Sequence, residues 1–477
     1  MKRIAFCFDG TWNTAEMAYP TNVTRIAQSI SRTDQNGITQ IIHYDDGVGT
    51  GDNKRWTGWA YNKLAGAFGF GLVDNVVEAY KFLVLNYEPG DELHIFGFSR
   101  GAFTARSFVG LLRNSGVISR RSISQIRDAV DLYLSRAEGE SPNSERACRF
   151  RSAHCPDLLI GIDAEWRTKN VANFDPQSAK ELKICFLGVW DTVGALGVPN
   201  QFGISKLLNR KYRFHDTELS SFVERARHAV AADEKRKTFV PALWSNLIDL
   251  NQDGSGRYEQ KIFPGTHSAV GGGGPVRGIS DGALDWVFKG ARKANLEFDL
   301  DAKSPLFGLH PDHRAQLHNE VGKFGWKIKD RLVGAGLADR SFPNPTLADL
   351  HDSTVRRRHE AADRLPEKKK YAPASLKNLW PEMDAASVVA PVRVDEGLLE
   401  RKSLWENARL RAPDFVTQYT VKPYDSLAKI AEKQMGSTDL DEILLLHNQN
   451  IGALFTADEL YAGQIIEIPT YVELTKA

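Results

Sequence analysis

No charge of one sign dominates this chain: 61 Lys and Arg stand against 60 Asp and Glu, a formal net charge of +1. Nucleic-acid binders draw their affinity from neutralising many phosphates, so no nucleic-acid partner is expected. Nor does the balance give a broad pull toward anionic membranes, although local patches stay open. Cysteine is scarce. Cys7, Cys148, Cys155 and Cys185 are scattered, which excludes a disulfide framework and points to reduced thiols. His154 stands between Cys148 and Cys155, but no second ligand pair follows, so neither a metal nor a cofactor is expected. Long apolar runs are missing too. None reaches about 18 residues, so no transmembrane helix is expected. The opening run Ile4-Ala5-Phe6-Cys7-Phe8 is far too short for a secretory signal. What is there is ordinary for a globular protein: 42% hydrophobic and 25% charged residues. With 477 residues the chain can bury a core without staples, in about three domains or one large domain with an appendage.

The patterning alternates between strand and helix. Ile4 to Phe8 reads as a buried strand ending in Asp9-Gly10-Thr11, and Pro20-Thr21-Asn22 opens a helix with Val23, Ile26, Ala27 and Ile30 on one face. Thr39 to Tyr44 is a second strand, followed by the loop Gly47 to Gly51; Val73, Val76, Val77, Tyr80 and Leu83 make a second helical face. Glu92 to Phe96 is a third strand and Ala102 to Leu112 a third helix. Further on, Leu182 to Trp190 reads as strand, Leu219 to Ala232 as helix, Gln260 to Phe263 as strand and Leu284 to Ala294 as helix. Such alternation implies an α/β fold with a mostly parallel sheet. The stretches 114–180 and 296–350 read as irregular insertions, of the kind that form lids or substrate walls. Arg356 to Arg358 and Lys368 to Lys370 read as a solvated helix face. The expected division is a domain over 1–380, a linker over 381–416 and a small unit over 417–470.

The sharpest chemical feature is Gly97-Phe98-Ser99-Arg100-Gly101, a G-x-S-x-G motif between an apolar strand and a helix. That context is the nucleophile elbow, with Ser99 as the nucleophile. Such a serine needs a base, and the base an orienting carboxylate, in the chain order Ser, Asp or Glu, His. His267 is the expected base, in the loop Pro264 to Ser268 beyond a strand; His228 and His94 read as structural. Asp191 is the expected carboxylate, because it follows Leu187 to Trp190 at the C-terminal end of a buried strand, where catalytic groups collect. Asp233 and Asp281 are rivals that read as helix-end residues. The oxyanion hole is expected from the N–H of Arg100 and a donor of an early strand-end loop, Gly10 or Thr11, with Asp9 fixing that loop. Two other readings fail. A D-x-D-G-T phosphatase motif would need Asp where Cys7 stands, and the Gly47 to Gly51 loop lacks the Gly-Lys-Ser/Thr ending of a phosphate-binding loop.

Phe8-Asp9-Gly10-Thr11-Trp12-Asn13, Gly47 to Gly51, Gly97 to Ala102, Val189-Trp190-Asp191-Thr192-Val193, Phe263 to Ser268 and His351-Asp352-Ser353 follow one another in this order. Together they resemble the α/β-hydrolase catalytic domain of type VI secretion phospholipase effectors and their bacterial relatives, over about 1–380. The resemblance implies Ser99, Asp191 and His267 as a triad, a lipid ester as substrate and a secretion-machinery or immunity protein as partner. It also implies synthesis in the bacterial cytoplasm without a signal peptide and export to act in the periplasm of a target cell. Ala269 departs from the family, which usually has Asp there.

The tail recovers strong patterning. Tyr419 to Val421 reads as strand, Leu427, Ile430 and Ala431 as one helix face, Leu440 to Leu445 as a second helix, Asn448 to Ile451 as loop and Ile465 to Ile468 as strand, with Asp425 as helix N-cap. This βααβ order resembles a LysM domain. The resemblance implies binding of peptidoglycan or another N-acetylglucosamine glycan through Pro423, Asp425, Ser426, Asn448 and Ile451; Tyr424 stands where that family usually has glycine. The expected function is a serine esterase of phospholipase type tethered by a wall-binding tail. The competing expectation is a catalytically inactive hydrolase fold that serves as an adaptor for cell-wall glycan or a protein.

Overall fold

In a computed structural model of the chain, the structure describes residues 1–10, 13–47, 72–135, 141–194, 218–299, 305–306, 309, 311–318, 337–386, 415–423, 425–435, 441–450, 454 and 460–470. Among these, strand β1 (Arg3–Phe8) is buried along its whole length, as the apolar run Ile4 to Phe8 dictates and as the Arg3 bonds to Asp34 and Glu92 allow. Helix α1 (Asn22–Ser29) begins at Thr21, whose hydroxyl accepts the Thr24 N–H at 3.1 Å. Then come β2 (Gln40–Asp45), α2 (Leu72–Asn86), β3 (Glu92–Phe98) and α3 (Arg100–Ser115). Helices α4 (Ile126–Leu134), α5 (Glu145–His154) and α6 (Asp163–Asn170) follow, with the two-residue parallel pair β4 (Leu158–Leu159) and β5 (Lys180–Glu181). The remainder of the large unit comprises β6 (Lys183–Trp190), β7 (Ala226–Ala231), α7 (Leu247–Leu250), β8 (Tyr258–Phe263), α8 (His267–Gly271), α9 (Gly278–Lys293), α10 (Asp352–His359) and α11 (Trp380–Ala385).

One six-stranded sheet, in the order β2-β1-β3-β6-β7-β8, organises these elements, and every neighbouring pair is parallel. A parallel sheet must be covered on both faces. One face packs against α2, α3 and α4 through Val77, Tyr80, Phe108 and Leu112; the other packs against α1 and α9 through Ile26, Ala283 and Val287. The chain moves outward from β1 to β2 and then returns to the far side of β1 as β3. That reversal makes the carboxyl ends of β1 and β3 a crevice in which α/β sheets place their ligands.

The structure departs from the sequence reading in several places. The stretch expected as a helix over Leu219 to Ala232 carries β7 instead, paired with β6 and β8. Its Ala-Val-His composition looks helical in isolation, but in the middle of the sheet small side chains buried on both faces suit a strand. His228 is therefore a strand residue, fully buried, with Nε2 accepting the Thr192 N–H at 3.2 Å and Nδ1 lying 2.9 Å from Gln260. The stretch 114–180 holds three helices rather than irregular chain. Arg357 and Arg358 are not on a solvated face. Arg357 donates to the carbonyls of His313 and Ala315 and to Glu367, and Arg358 grips Asp384 and the Tyr371 carbonyl. A guanidinium can be buried where several acceptors meet its fork, a condition that no local charge run reveals. Lys368, Lys369 and Lys370 are exposed.

Helix α11 crosses the expected boundary at residue 380, and its Met383 is fully buried beside Leu350, Leu376 and Val230. The expected linker beyond 386 falls outside the described residues up to 414. In the tail, β9 (Phe415–Thr420), α12 (Leu427–Met435), α13 (Asp441–Asn450) and β10 (Ile465–Thr470) follow in βααβ order. The two strands pair antiparallel, and Val421, Ile430, Leu444, Ile466 and Ile468 form a core of their own.

Candidate active site

Ser99 sits where β3 turns into α3, with φ 58° and ψ −122°, a conformation that costs a residue with a Cβ about 1–3 kcal/mol. The turn is so tight that its glycines cannot be replaced freely. A Cβ on Gly97 would lie 2.6 Å from the Ala102 Cα, and one on Gly101 would lie 2.2 Å from the Phe8 carbonyl oxygen. The backbone ties the serine to the neighbouring strand. Ser99 N–H donates to the Trp190 carbonyl at 3.0 Å, and Val193 N–H to the Ser99 carbonyl at 3.4 Å. Arg100 opens α3, where first-turn N–H groups have no partner inside the helix. Burial lowers the pKa of its side chain.

Asp191 lies just past β6, fully buried, with φ 39°. Its Oδ2 is 2.5 Å from His267 Nδ1, and its Oδ1 accepts the Ala231 N–H at 2.9 Å. Burial alone would push this carboxyl up. The Arg340 charge and the hydrogen bonds from His267 and Arg340 outweigh it and hold the group well below the usual carboxylate range. An ionised carboxylate only accepts, so Nδ1 of His267 carries the proton and Nε2 is left as the basic nitrogen. His267 begins α8. Its ring stacks on Phe98, the residue before Ser99, at 4.6 Å between centroids, and meets the edge of Phe239 at 4.8 Å. The structure thus brings Asp191 and His267 into direct contact, and places Ser99 at the end of the neighbouring strand, next to the Phe98 on which His267 stacks.

The early loop is also built, but not as expected. Asp9 Oδ2 accepts from Thr21 at 2.6 Å and from Thr24 and Tyr44 at 2.8 Å, while Oδ1 accepts the Gly10 N–H at 2.6 Å. Burial still raises the Asp9 carboxyl despite these bonds. The Gly10 N–H expected in the oxyanion hole is therefore occupied by its own neighbour, the Asp9 carboxylate. Thr11 lies outside the described residues.

The rival groups have other duties. Asp233 accepts the Gly265 N–H and the Tyr371 hydroxyl, and Asp281 pairs with Arg25. His94 is buried inside β3, and burial lowers its pKa to about 3. Two residues escaped the sequence reading. Glu234 Oε2 accepts the His267 N–H at 3.2 Å; burial pushes its carboxyl up, but Arg236 pairing brings it down to about 2. Arg340 grips Asp191 from 149 positions away. No local motif flags either one.

Among the described residues, one mixed-donor group, Glu92, His94 and Cys185, has ligand atoms within 4.8 Å of one another. It lies at the start of β3, away from Ser99, and Arg3 already takes the Glu92 carboxylate at 3.0 Å. Cys155 and His154 have separate partners, Ser115 and Ser122.

In the tail, Pro423 is exposed. Asp425 closes its own turn by accepting from the Tyr419 hydroxyl and the Lys422 N–H, both at 2.7 Å, and Ser426 rather than Asp425 caps α12 through the Lys429 N–H at 3.3 Å. Asn448 is not in a loop. It lies within α13, fully buried, donating to the Leu444 and Glu467 carbonyls and accepting the Glu467 N–H. A side chain without exposure touches no glycan, which corrects its assignment as a binding residue. Ile451 and Tyr424 lie outside the described residues.

A model of the family described as T6SS, Phospholipase effector Tle1-like, catalytic domain, matches residues 2–290. Over 246 residues the chain is 28% identical to an uncharacterized protein of Saccharomyces cerevisiae, covering 50% of this chain and 32% of that protein. The match thus spans about a third of the length of the curated relative. Among solved structures, an uncharacterized protein from Pseudomonas aeruginosa is 16% identical, with 97% of this chain and 75% of that one covered and a TM-score of 0.34. The Tle1 effector bound to the VgrG spike from the Type 6 secretion system is 19% identical, with 57% and 51% covered and a TM-score of 0.29.

Proposed function

The chain belongs to the Tle1-like phospholipase effector family, and on that premise we propose that it is a serine hydrolase of lipid esters with Ser99, His267 and Asp191 as its triad. Ser99 Oγ attacks the ester carbonyl while His267 Nε2 takes its proton. Asp191, acceptor-only, stabilises the imidazolium through Nδ1. The Arg100 N–H, at the positive end of α3, holds the oxyanion, with a second donor from the loop after β1. His267 then protonates the departing alcohol, and water, activated by the same nitrogen, hydrolyses the acyl-enzyme. The observation that carries this reading is the pairing of a strained serine between two obligatory glycines with a buried Asp191–His267 bond at the neighbouring strand end. A fluorophosphonate probe tests it. The wild-type chain becomes labelled and Ser99→Ala does not, and fatty acid is released from phospholipid vesicles by wild type but not by His267→Ala. An unlabelled wild type overturns it.

A second reading, an inactive adaptor with a hydrolase fold, draws on one specific observation: the Gly10 N–H is already taken by Asp9. The same labelling experiment separates the two. The family also makes a component of the secretion machinery and an immunity protein the natural partners to propose, with action in the periplasm of a target cell. For the βααβ tail we propose a LysM-like glycan-binding unit whose contacts come from Pro423, Asp425 and Ser426. The full chain pelleting with purified peptidoglycan, and a chain ending at residue 410 staying in solution, supports it; equal pelleting of both overturns it.

A further inference from the structure

Arg340 lies beyond the 2–290 span matched by the catalytic-domain family, yet its side chain is only 4% exposed and faces the candidate carboxylate. Nη1 donates to Asp191 Oδ1 at 2.6 Å and to the Ala231 carbonyl at 2.7 Å; Nη2 donates to Asp191 Oδ2 at 2.8 Å and to the Phe239 carbonyl at 2.8 Å. The guanidinium thus meets both carboxylate oxygens end-on, through Nη1 and Nη2, and also holds the chain whose Phe239 ring walls His267. Its backbone is docked as well. Leu337 bridges to Arg236, and the Ala338 N–H donates to the Lys235 carbonyl at 2.8 Å.

A buried carboxylate needs more than a neutral imidazole to stay charged. The titratable and charged groups facing Asp191 are Arg340 from the late segment, His267 from α8 and His228 from β7; beyond them, Arg106 from α3 acts on His228, and Glu234 after β7 accepts the His267 N–H. Burial keeps the pKa of His228 low, at about 3, so at neutral pH it supplies no charge. Among the described residues, Arg340 is the cation that touches the carboxylate.

We propose that Arg340 is a positioning residue for the triad: its two-pronged grip keeps Asp191 ionised and turned so that Oδ2 accepts from His267 Nδ1, and the segment 337–386 is thereby part of the catalytic unit. Without that grip Asp191 takes up a proton at accessible pH. A protonated carboxyl donates to Nδ1, the imidazole proton moves to Nε2, and the base is lost. The inference rests on the triad reading above, and the experiment keeps the two apart.

Wild type, Ser99→Ala, Arg340→Met and Arg340→Lys are compared for ester-hydrolysis kcat and KM from pH 5 to 9, with circular dichroism as the check on folding. Arg340→Met is expected to lose about 10³-fold in kcat with KM little changed, and to regain activity as pH rises and Asp191 ionises again. Arg340→Lys keeps the charge but not the fork, and is expected to fold and lose about tenfold. If wild type is active, Ser99→Ala is dead and Arg340→Lys matches wild type in kcat and pH profile, this inference is overturned while the triad stands. A parallel loss with an unchanged pH profile in both Arg340 variants also overturns it, because a merely structural role predicts that. An inactive wild type overturns the triad and the inference together. Should Arg340→Met fail to fold, Arg340→Lys decides.

Discussion

Two fully buried polar side chains, Asp191 in the large unit and Asn448 in the tail, solve the same problem differently. Asn448 is neutral and local. Its amide satisfies three backbone groups, on its own helix and on β10, at 2.7–2.8 Å. Nothing further is required of it, and it acts as a bolt between α13 and β10. Asp191 is charged. Its backbone partner at Ala231 is not enough, so an arginine 149 positions later and a histidine 76 positions later converge on it. The difference is one of desolvation. A buried amide needs only hydrogen bonds, whereas a buried carboxylate needs a counter-charge. Once assembled, the charged arrangement holds His267 through its Nδ1, and the neutral one leaves only stability.

Exchanging the two chemistries tests the contrast most severely. Asp191→Asn keeps the shape but removes the charge and leaves Arg340 facing an amide. Its expected loss of kcat is about 10⁴-fold, read as phospholipid hydrolysis by the full chain. An active Asp191→Asn enzyme would erase the distinction. Next in size is the elbow. Gly101→Ala drives a Cβ to 2.2 Å from the Phe8 carbonyl oxygen, backbone that cannot swing away. Its thermal midpoint is expected to fall by several degrees, and fluorophosphonate labelling of Ser99 to be lost with it.

The reverse exchange, Asn448→Asp, buries a carboxylate beside Glu467 without a cation among its described contacts and removes both donors to the Leu444 and Glu467 carbonyls. The tail is expected to lose about 3 kcal/mol by chemical denaturation, with ester hydrolysis unchanged. The new carboxyl is protonated more readily in the fold than when unfolded, so this loss should shrink as pH falls. A pH-independent loss would mean that hydrogen bonds, not charge, decide. The smallest effect belongs to Asp45, whose carboxyl burial pushes up to about 7. Here the folded state holds the proton more tightly, so this group's contribution is full at low pH and declines until pH passes about 7. Asp45→Asn should flatten that decline and be slightly more stable than wild type at pH 8, measured by thermal unfolding at pH 5 and 8.

Much of the framework was legible because it is written in short-range patterns. The apolar runs before Asp9 and Asp191 are long enough to commit to β1 and β6 without help from neighbours. Thr21 announces α1 by bonding the Thr24 N–H three positions on. Where composition and context conflicted, context won. Ala226–Ala231 became a strand because β6 and β8 offered ladders on both sides. Arg357 and Arg358 look like solvent-facing charge in the chain, and become buried ties only where His313, Tyr371 and Asp384 come together. Gly10 was read as an oxyanion donor from its position at a strand end; the bond from its N–H to Asp9 is a matter of one side-chain rotation that no spacing encodes.

By itself, the sequence determined the alternating strands and helices of a parallel sheet and the tight turn around Ser99, because strand and helix periods and the absence of Cβ at Gly97 and Gly101 act over a few residues. Only the tertiary structure decided which distant side chains compensate a buried charge. Arg340 and Asp191 share no pattern along the chain. Their pairing follows from the need to neutralise a carboxylate away from water, which is met in space and leaves no periodic mark in sequence.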